Sequence, residues 1–310
     1  AALITLSSGG SAGREGPCSH IGGSLASWFG RLVRLSPELR KRVVACGVSA
    51  GFASVFGTPL AGAIYGIEVL AIGRIRHDYL FPAVIAGITS FEVSKLWGVS
   101  YNYYPLEISS IFSYSLFIKI MVIGMVCGLV AWLFIELYEK SRAAFGFLQH
   151  AFSLWPPLLP LFGGLVLSVL ILVIPTDYLG LSIPIMNQAL SGGEVPYLGF
   201  LWKALFVAIT LGSGFYGGIA TPQFVIGALA GNVTASLIGL DPGFGAAVGM
   251  AAVVAAASNT PLAAVFLGFE LFGGSLGQRS PLILSSGIEV YTRISMSLIR
   301  NRYGCISYPI

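Results

Sequence analysis

The feature that most constrains the fold of this chain is a short motif that occurs twice. Thr-Pro-Leu-Ala, followed five residues later by Gly and seven residues later by Glu, is found at residues 58–68 and again at residues 260–270. The two copies lie 202 residues apart. Self-similarity at a fixed spacing indicates two halves built on one plan, and in an apolar chain such halves are typical of transporters and channels.

A second matched pair lies upstream of each copy. Pro17 and Gly22 have counterparts in Pro222 and Gly227, which lie 205 residues later, and each pair follows a glycine-rich turn. Proline fits the first turn of a helix because its missing N–H would have no intrahelical partner there. Glycines in the preceding turn let the backbone approach a ligand closely. Each half is therefore predicted to contain a helix that begins directly after a glycine-rich turn.

The composition places this repeated plan in a membrane. Hydrophobic residues make up 55% of the chain and charged residues only 10%, whereas soluble domains are about 25% charged. Several apolar stretches are long enough for the roughly 20 residues that a spanning helix needs, and others are short or interrupted by Gly or Pro. We expect an all-α polytopic membrane protein with broken helices. The apolar stretches are residues 79–97, 111–138, 155–175, 198–240, 243–272 and 281–299.

The chain is predicted to form a single transmembrane domain over residues 1–310. Its first half runs from about residue 1 to 100, central spans follow at about 101–198, and the second half occupies about 199–310. The chain starts almost at once with a glycine-rich motif that no helix precedes, so N-terminal helices are expected to be missing from it. The expected location is the cell membrane, as a multi-pass protein.

Several other kinds of chemistry are not favoured by the sequence. The net charge of +4 does not imply nucleic-acid binding. The four cysteines lack metal-site or disulfide spacing, and no carboxylate or histidine cluster has the spacing of metal ligands. No cofactor or metal is expected. An intramembrane enzyme using Ser8, Ser11 and His20 is a remote alternative, since nothing fixes their mutual geometry; the chain is predicted not to be an enzyme.

The first glycine-rich turn, Gly-Arg-Glu-Gly-Pro at residues 13–17, is predicted to bind an anion. A helix that begins inside a membrane directs its first N–H groups and its positive dipole end at whatever lies there. Glu15 stands at this helix start, where its carboxylate would compete with a mobile anion. A glutamate at membrane depth is expected to be functional. The alternative is that Glu15 forms a charge pair with Arg14 or simply stabilises the helix start.

The second half also has a glycine-rich turn followed by a helix start, but without a glutamate. Gly-Gly-Ile-Ala-Thr-Pro occupies residues 217–222, so Ile219 and Ala220 would offer backbone N–H groups alone, and Thr221 is predicted to cap the helix. Two such helix starts, one from each half, would form a site for a small anion. The predicted anion-binding residues are Gly13, Arg14, Glu15, Gly16, Pro17, Gly218, Ile219, Ala220 and Thr221.

Three segments together resemble the CLC family of voltage-gated chloride channels and proton-coupled anion antiporters. These are residues 13–17, the Gly-Thr-Pro-Leu-Ala-Gly run at 57–62 with Glu68, and residues 217–222. The resemblance implies inverted halves and a homodimer with one anion pathway in each subunit. It also implies that Glu15 is the gating glutamate and that Tyr308 is the inner-gate tyrosine.

The chain departs from the family pattern in three places. A further anion-binding turn of the family, Gly-Ser-Gly-Ile-Pro, is not in this chain. The exchangers have a proton-relay glutamate where this chain has Val69, and the fluoride–proton branch has a glutamate where this chain has Ile219. Three other places nevertheless resemble the fluoride–proton branch: residues 9–16, residues 259–263 and Thr221.

The sequence therefore predicts a glutamate-gated anion channel of the CLC type that passes chloride or a similar halide. A proton-coupled fluoride or chloride antiporter of the same family is the alternative, in which case protons join the transported species. The expected partners are a small anion (chloride or fluoride), the lipid bilayer and a second copy of the chain, without nucleic acid.

Overall fold

A computed structural model describes residues 2–70, 77–104, 113–153 and 155–272, and Tyr308 lies outside these ranges. The described residues are 77% helical and form no strands, which confirms the predicted all-α class. A 3-10 turn covers Thr176–Tyr178. The helices are α1 (Ala2–Ser7), α2 (Gly16–Leu32), α3 (Pro37–Phe56), α4 (Pro59–Glu68), α5 (His77–Leu96), α6 (Tyr114–Ala151), α7 (Leu158–Leu170), α8 (Ile183–Leu190), α9 (Gly199–Gly212), α10 (Ala220–Leu237), α11 (Pro242–Ser258) and α12 (Pro261–Phe272).

Prolines and glycines mark the helix boundaries. Pro17 is the second residue of α2, while Pro59 and Pro261 open α4 and α12. Between α3 and α4 the backbone of Gly57 is left-handed, with φ of 69°, a conformation that glycine adopts without strain. A Cβ atom on Gly57 would also lie 2.5 Å from the ring of Tyr101. The chain can therefore reverse direction here within two residues.

One helix in the described ranges, α6, is both long and apolar enough to cross a membrane by itself; it has 38 residues. Four shorter apolar helices, α7, α9, α11 and α12, accompany it. The apolar stretch 198–240 is divided between α9 and α10, with the break at the glycine-rich segment 212–218. This division agrees with the predicted broken helix, because α9 ends where the glycine-rich segment begins and α10 starts two residues before Pro222.

The described residues group into two compact units. The first combines residues 1–16 with 126–253, and the second combines residues 17–125 with the chain from residue 254 onward. In the first unit, α10 forms the core: every residue from Thr221 to Ala235 is buried. α8 and α9 both pack on it.

Helices α10 and α11 approach each other through glycines spaced four residues apart. A Cβ atom on Gly231 would lie 2.1 Å from the carbonyl oxygen of Gly245, and one on Gly227 would lie 2.5 Å from that of Gly249. Such distances are far below van der Waals contact, so only glycine permits this backbone-to-backbone packing.

We expect Gly231→Ala to destabilise the protein, because the new methyl group would have to push α10 and α11 apart. Overpacking of this kind costs about 1–3 kcal/mol. The measurement is the midpoint of thermal denaturation of the purified protein in detergent. Gly146→Ala is the matched control, since Gly146 lies in α6 with nothing within 4 Å of its Cβ position. Equal midpoints for the two variants would contradict the packing argument.

In the second unit, Glu68 at the end of α4 caps the start of α12. Its carboxylate accepts hydrogen bonds from the N–H groups of Leu262 (3.1 Å) and Ala263 (2.8 Å). These are the N–H groups that the residue preceding a helix normally binds. That residue is Thr260, whose hydroxyl is buried and has no hydrogen-bond partner among the described residues. Glu68 thus occupies the capping position that Thr260 would otherwise fill.

Glu270 at the end of α12 performs the same function for α4. Its carboxylate accepts from the N–H groups of Leu60 (2.9 Å) and Ala61 (2.8 Å). Thr58 precedes α4, its side chain makes no capping bond, and its buried hydroxyl has no partner in the described part of the chain. The Glu of each copy of the repeated motif therefore caps the helix of the other copy. We call these two contacts the reciprocal glutamate caps.

Candidate functional site

The two glycine-rich turns of the repeated halves meet in the first unit. The N–H of Gly13 donates to the carbonyl oxygen of Gly218, and the N–H of Gly218 donates to that of Gly13, both at 2.7 Å. A Cβ atom on Gly218 would lie 2.7 Å from the backbone nitrogen of Gly16. The turns can approach this closely only because glycine occupies these positions. In this arrangement the N–H group of each glycine is already bonded to the carbonyl oxygen of the other.

The carboxylate of Glu15 is held at this junction. Its side chain is 9% exposed, and Oε2 accepts hydrogen bonds from the N–H of Arg14 at 2.9 Å and from the hydroxyl of Thr221. The bond to Thr221 links a residue of the first half to one of the second. Glu15 is thus bound by the protein much as an anion would be, through one backbone N–H and one hydroxyl.

The expected alternative for Glu15, a charge pair with Arg14, is present only in a weak form. The Nε atom of Arg14 lies 3.6 Å from Oε1 of Glu15, and the Arg14 side chain is 64% exposed. An exposed arginine at this distance adds little to binding, because water screens the pair. The hydrogen bonds at Oε2 therefore fix the position of the carboxylate.

The predicted role of Thr221 as a helix cap is wrong. Helix α10 begins at Ala220, and the residue at its cap position is Ile219, which makes no side-chain capping bond. Thr221 lies within the first turn of α10 and points its hydroxyl at Glu15. The motif was misread by two positions because the helix starts before the proline, which sits third in α10.

Helix α2 begins at Gly16 and helix α10 at Ala220, directly after the two glycine turns in sequence. Helix starts carry partial positive charge and N–H groups without intrahelical partners. This placement is what the predicted anion site requires of Gly16, Pro17, Ile219 and Ala220. Their binding of an anion stays a prediction, and Tyr308 lies outside the described residues.

A residue that the sequence reasoning missed, Lys203, is fully buried in α9. Its Nζ atom contacts the hydroxyl of Ser11 at 2.8 Å. Ser11 in turn donates its own hydroxyl to the carbonyl oxygen of Tyr178 at 2.8 Å. The Ser11 hydroxyl is thus already hydrogen-bonded on both sides. The signal for Lys203 was present, since it is the single charged residue in the apolar stretch 198–240.

The chain is similar to members of a known protein family. The family model described as voltage gated chloride channel matches residues 1–291. A chloride/fluoride channel protein from Pseudomonas syringae pv. tomato is 41% identical over 291 residues, which covers 91% of this chain and 62% of the relative. The chain therefore spans less than two thirds of the length of that relative.

Two solved structures have a similar fold. The crystal structure of a CLC-type fluoride/proton antiporter matches with a TM-score of 0.86 and 32% identity, covering 93% of this chain and 71% of that one. A slow cyanobacterial Cl⁻/H⁺ antiporter matches with a TM-score of 0.76 and 23% identity, over 96% of this chain and 71% of that one. The second likeness concerns the fold alone.

Proposed function

This chain belongs to the voltage gated chloride channel family, and from that membership we propose that it moves a small halide across a membrane under the control of Glu15. The observation that carries the proposal is the hydrogen bond from Thr221 to the buried Glu15 carboxylate at the junction of the two glycine turns. A carboxylate at this position excludes a mobile anion by charge and by volume. When Glu15 takes up a proton, its charge is lost and an anion can replace it.

The anion-binding groups in this proposal are the N-terminal N–H groups of α2 and α10 together with the Thr221 hydroxyl. Gly13 contributes by its size, because a Cβ atom there would lie 3.0 Å from both Glu15 Oε2 and Thr221 Oγ1. Any side chain at position 13 would press on the carboxylate and its partner. Chloride and fluoride both suit a site of N–H and hydroxyl donors.

We propose first that the anion moves as in a channel, without coupling to protons. Proton coupling needs a carboxylate that loads from the inner side of the membrane, and the two positions where the family's antiporters carry one are Val69 and Ile219 here. Neither side chain can bind a proton.

Proton-coupled antiport is the second candidate, and a specific observation favours it. The chain is 32% identical to a fluoride/proton antiporter over 93% of its own length. Threonine at position 221 and the segments at 9–16 and 259–263 follow the pattern of that branch. In this mode another group would have to supply the proton in place of the missing carboxylates.

The two modes give different reversal potentials in liposomes. For a channel, we expect the reversal potential to follow the anion gradient alone and to stay constant when a pH gradient is imposed. For an antiporter, the potential shifts with the pH gradient in a fixed ratio to the anion gradient. Chloride and fluoride should be compared in the same vesicles. A fixed-ratio shift would overturn the channel mode and leave anion transport intact.

The proposal also includes a homodimer in the lipid bilayer of a cell membrane, with one anion pathway in each copy, and no catalytic activity. Light scattering of the purified protein in detergent measures the mass of the assembly. A monomer that transports anions would contradict the dimer while leaving the pathway proposal in place.

A further inference from the structure

The ammonium group of Lys203 is enclosed by oxygen atoms of uncharged groups. Nζ lies 2.8 Å from the hydroxyls of Ser11 and Ser182, 2.8 Å from the carbonyl oxygen of Gly180 and 3.2 Å from that of Tyr178. The side chain has no exposed surface. Among the described residues no carboxylate forms a salt bridge with it.

The hydrogen-bond acceptors around Nζ match the protonated form of the Lys203 amine. The Ser11 hydroxyl donates its hydrogen to the carbonyl oxygen of Tyr178, and the Ser182 hydroxyl donates to that of Leu179 at 3.3 Å. Both hydroxyl oxygens therefore present lone pairs to Nζ, as the carbonyl oxygen of Gly180 does. Three acceptors at 2.8 Å need three N–H groups, which only the protonated lysine has. Each of the three N–H groups of the protonated amine then has an acceptor at 2.8 Å.

The same contacts fix the turn that precedes Glu15. Ser11 is bound to α9 twice, by Lys203 through its hydroxyl and by Thr210, whose Oγ1 accepts the Ser11 N–H at 3.1 Å. Two residues later, Gly13 makes its paired bonds with Gly218. The segment from Ser11 to Gly13 is thus tied at both ends, directly before Glu15.

We propose that Lys203 is a positioning residue for the Glu15 gate. It holds Ser11, and through Ser11 it holds the turn that places the Glu15 carboxylate against Thr221. The proposal rests on the gating role of Glu15 proposed above. Without the hydrogen bond from Lys203 to Ser11, the turn before Glu15 becomes more mobile and the hydrogen bond between Glu15 and Thr221 weakens. An anion then displaces the charged carboxylate more easily.

Three other charged or titratable groups lie around this turn and enter any test by pH. Arg14 Nε faces Glu15 at 3.6 Å. Asp177 lies in the 3-10 turn beside Tyr178, on the segment that binds Lys203. Lys203 itself faces Ser11. The two serine variants chosen below leave all three groups in place, so a changed pH profile in a serine variant would report the position of Glu15.

The test uses two serine variants that remove equivalent contacts. Ser11→Ala and Ser182→Ala each delete one hydroxyl that lies 2.8 Å from Nζ, but only Ser11 belongs to the turn before Glu15. Chloride and fluoride efflux from liposomes is measured across acidic to neutral pH. For Ser11→Ala we expect the ratio of flux at neutral pH to flux at acidic pH to rise roughly tenfold, since a hydrogen bond to a charged group is worth about that factor. For Ser182→Ala we expect the wild-type ratio.

A second pair of variants, at Lys203, tests whether the buried positive charge is needed to position Glu15. Lys203→Arg keeps a buried cation with several N–H groups, whereas Lys203→Met removes it at similar length. We expect Lys203→Met to change the pH profile as Ser11→Ala does and Lys203→Arg to restore part of it; thermal denaturation in detergent identifies a variant that fails to fold.

If Ser11→Ala keeps the wild-type profile, or Ser182→Ala shifts it equally, the positioning role is overturned. If the wild type itself shows no anion flux, or Glu15→Gln keeps the pH dependence of flux, the proposed function fails instead.

Discussion

Glu15→Gln is expected to abolish the pH dependence of anion flux. In the proposed gate the carboxylate blocks the site only while it is charged, and each pH unit below the pKa of a carboxyl changes the ratio of charged to neutral forms about tenfold. Glutamine has the same size and no charge, so it resembles the protonated state at every pH. Flux through the variant should therefore stay near the acidic-pH value of the wild type across the whole range. Ion-selective electrodes that record halide efflux from liposomes provide the measurement.

The control for this experiment is Glu194→Gln, which removes a carboxylate on an exposed residue of the same unit. That variant should keep the wild-type profile, since Glu194 is not part of the glycine junction that holds Glu15. Thr221→Val is expected to fall between the two, because the variant keeps the Glu15 charge and loses the hydroxyl that holds it. A Glu15→Gln profile with the wild-type slope would refute the gating role of Glu15.

The second large effect is expected at the reciprocal glutamate caps. Glu68→Ala removes both hydrogen bonds that the carboxylate accepts from α12. Bonds to charged groups contribute about 1.5–3 kcal/mol each, and burying unpaired N–H groups adds to the loss. We expect Glu68→Ala to lower stability by about 3 kcal/mol or more, and Glu270→Ala to have a similar effect at α4. Thermal or denaturant unfolding in detergent gives the comparison.

Thr260, which precedes α12, allows a second test of the cap that Glu68 provides. Thr260→Val alone should cost little, because the hydroxyl of Thr260 has no partner among the described residues. In the Glu68→Ala background that hydroxyl is free to cap α12, so removing it should cost about 1 kcal/mol more than it does in the wild type. A double-mutant cycle measures the difference. Strict additivity of the two substitutions would show that the threonine does not act as a substitute cap.

The sequence was informative where a residue type has one main structural use. Proline at positions 17 and 222 lies in the first turn of α2 and α10, as expected, and glycine at 13 and 218 marked the close turns. These effects are local, since they follow from a missing N–H or a missing Cβ. The two-half plan was also visible, because the copies kept their spacing.

The partners of polar side chains could not be predicted in the same way. The repeat identified Glu68 and Glu270 as unusual, but spacing within one copy does not tell that each carboxylate binds the helix of the other. Thr221 was assigned to its own helix because capping is the common local use of threonine before proline. Its actual partner, Glu15, lies 206 residues away in sequence. Lys203 was overlooked because its role depends on four oxygen atoms from two segments, Ser11 and residues 178–182, that lie far from each other in sequence.

The matched pairing of the motifs has a consequence for how the two halves depend on each other. Gly13 binds Gly218, its own counterpart, and the reciprocal glutamate caps join each motif to its own copy. A surface that recognises its own copy through exchanged, identical contacts is isologous, as in a two-fold symmetric dimer. Here both partners of that dimer are in one polypeptide. The starts of α4 and α12 each take their carboxylate acceptor from the opposite half, so each half completes a helix start of the other.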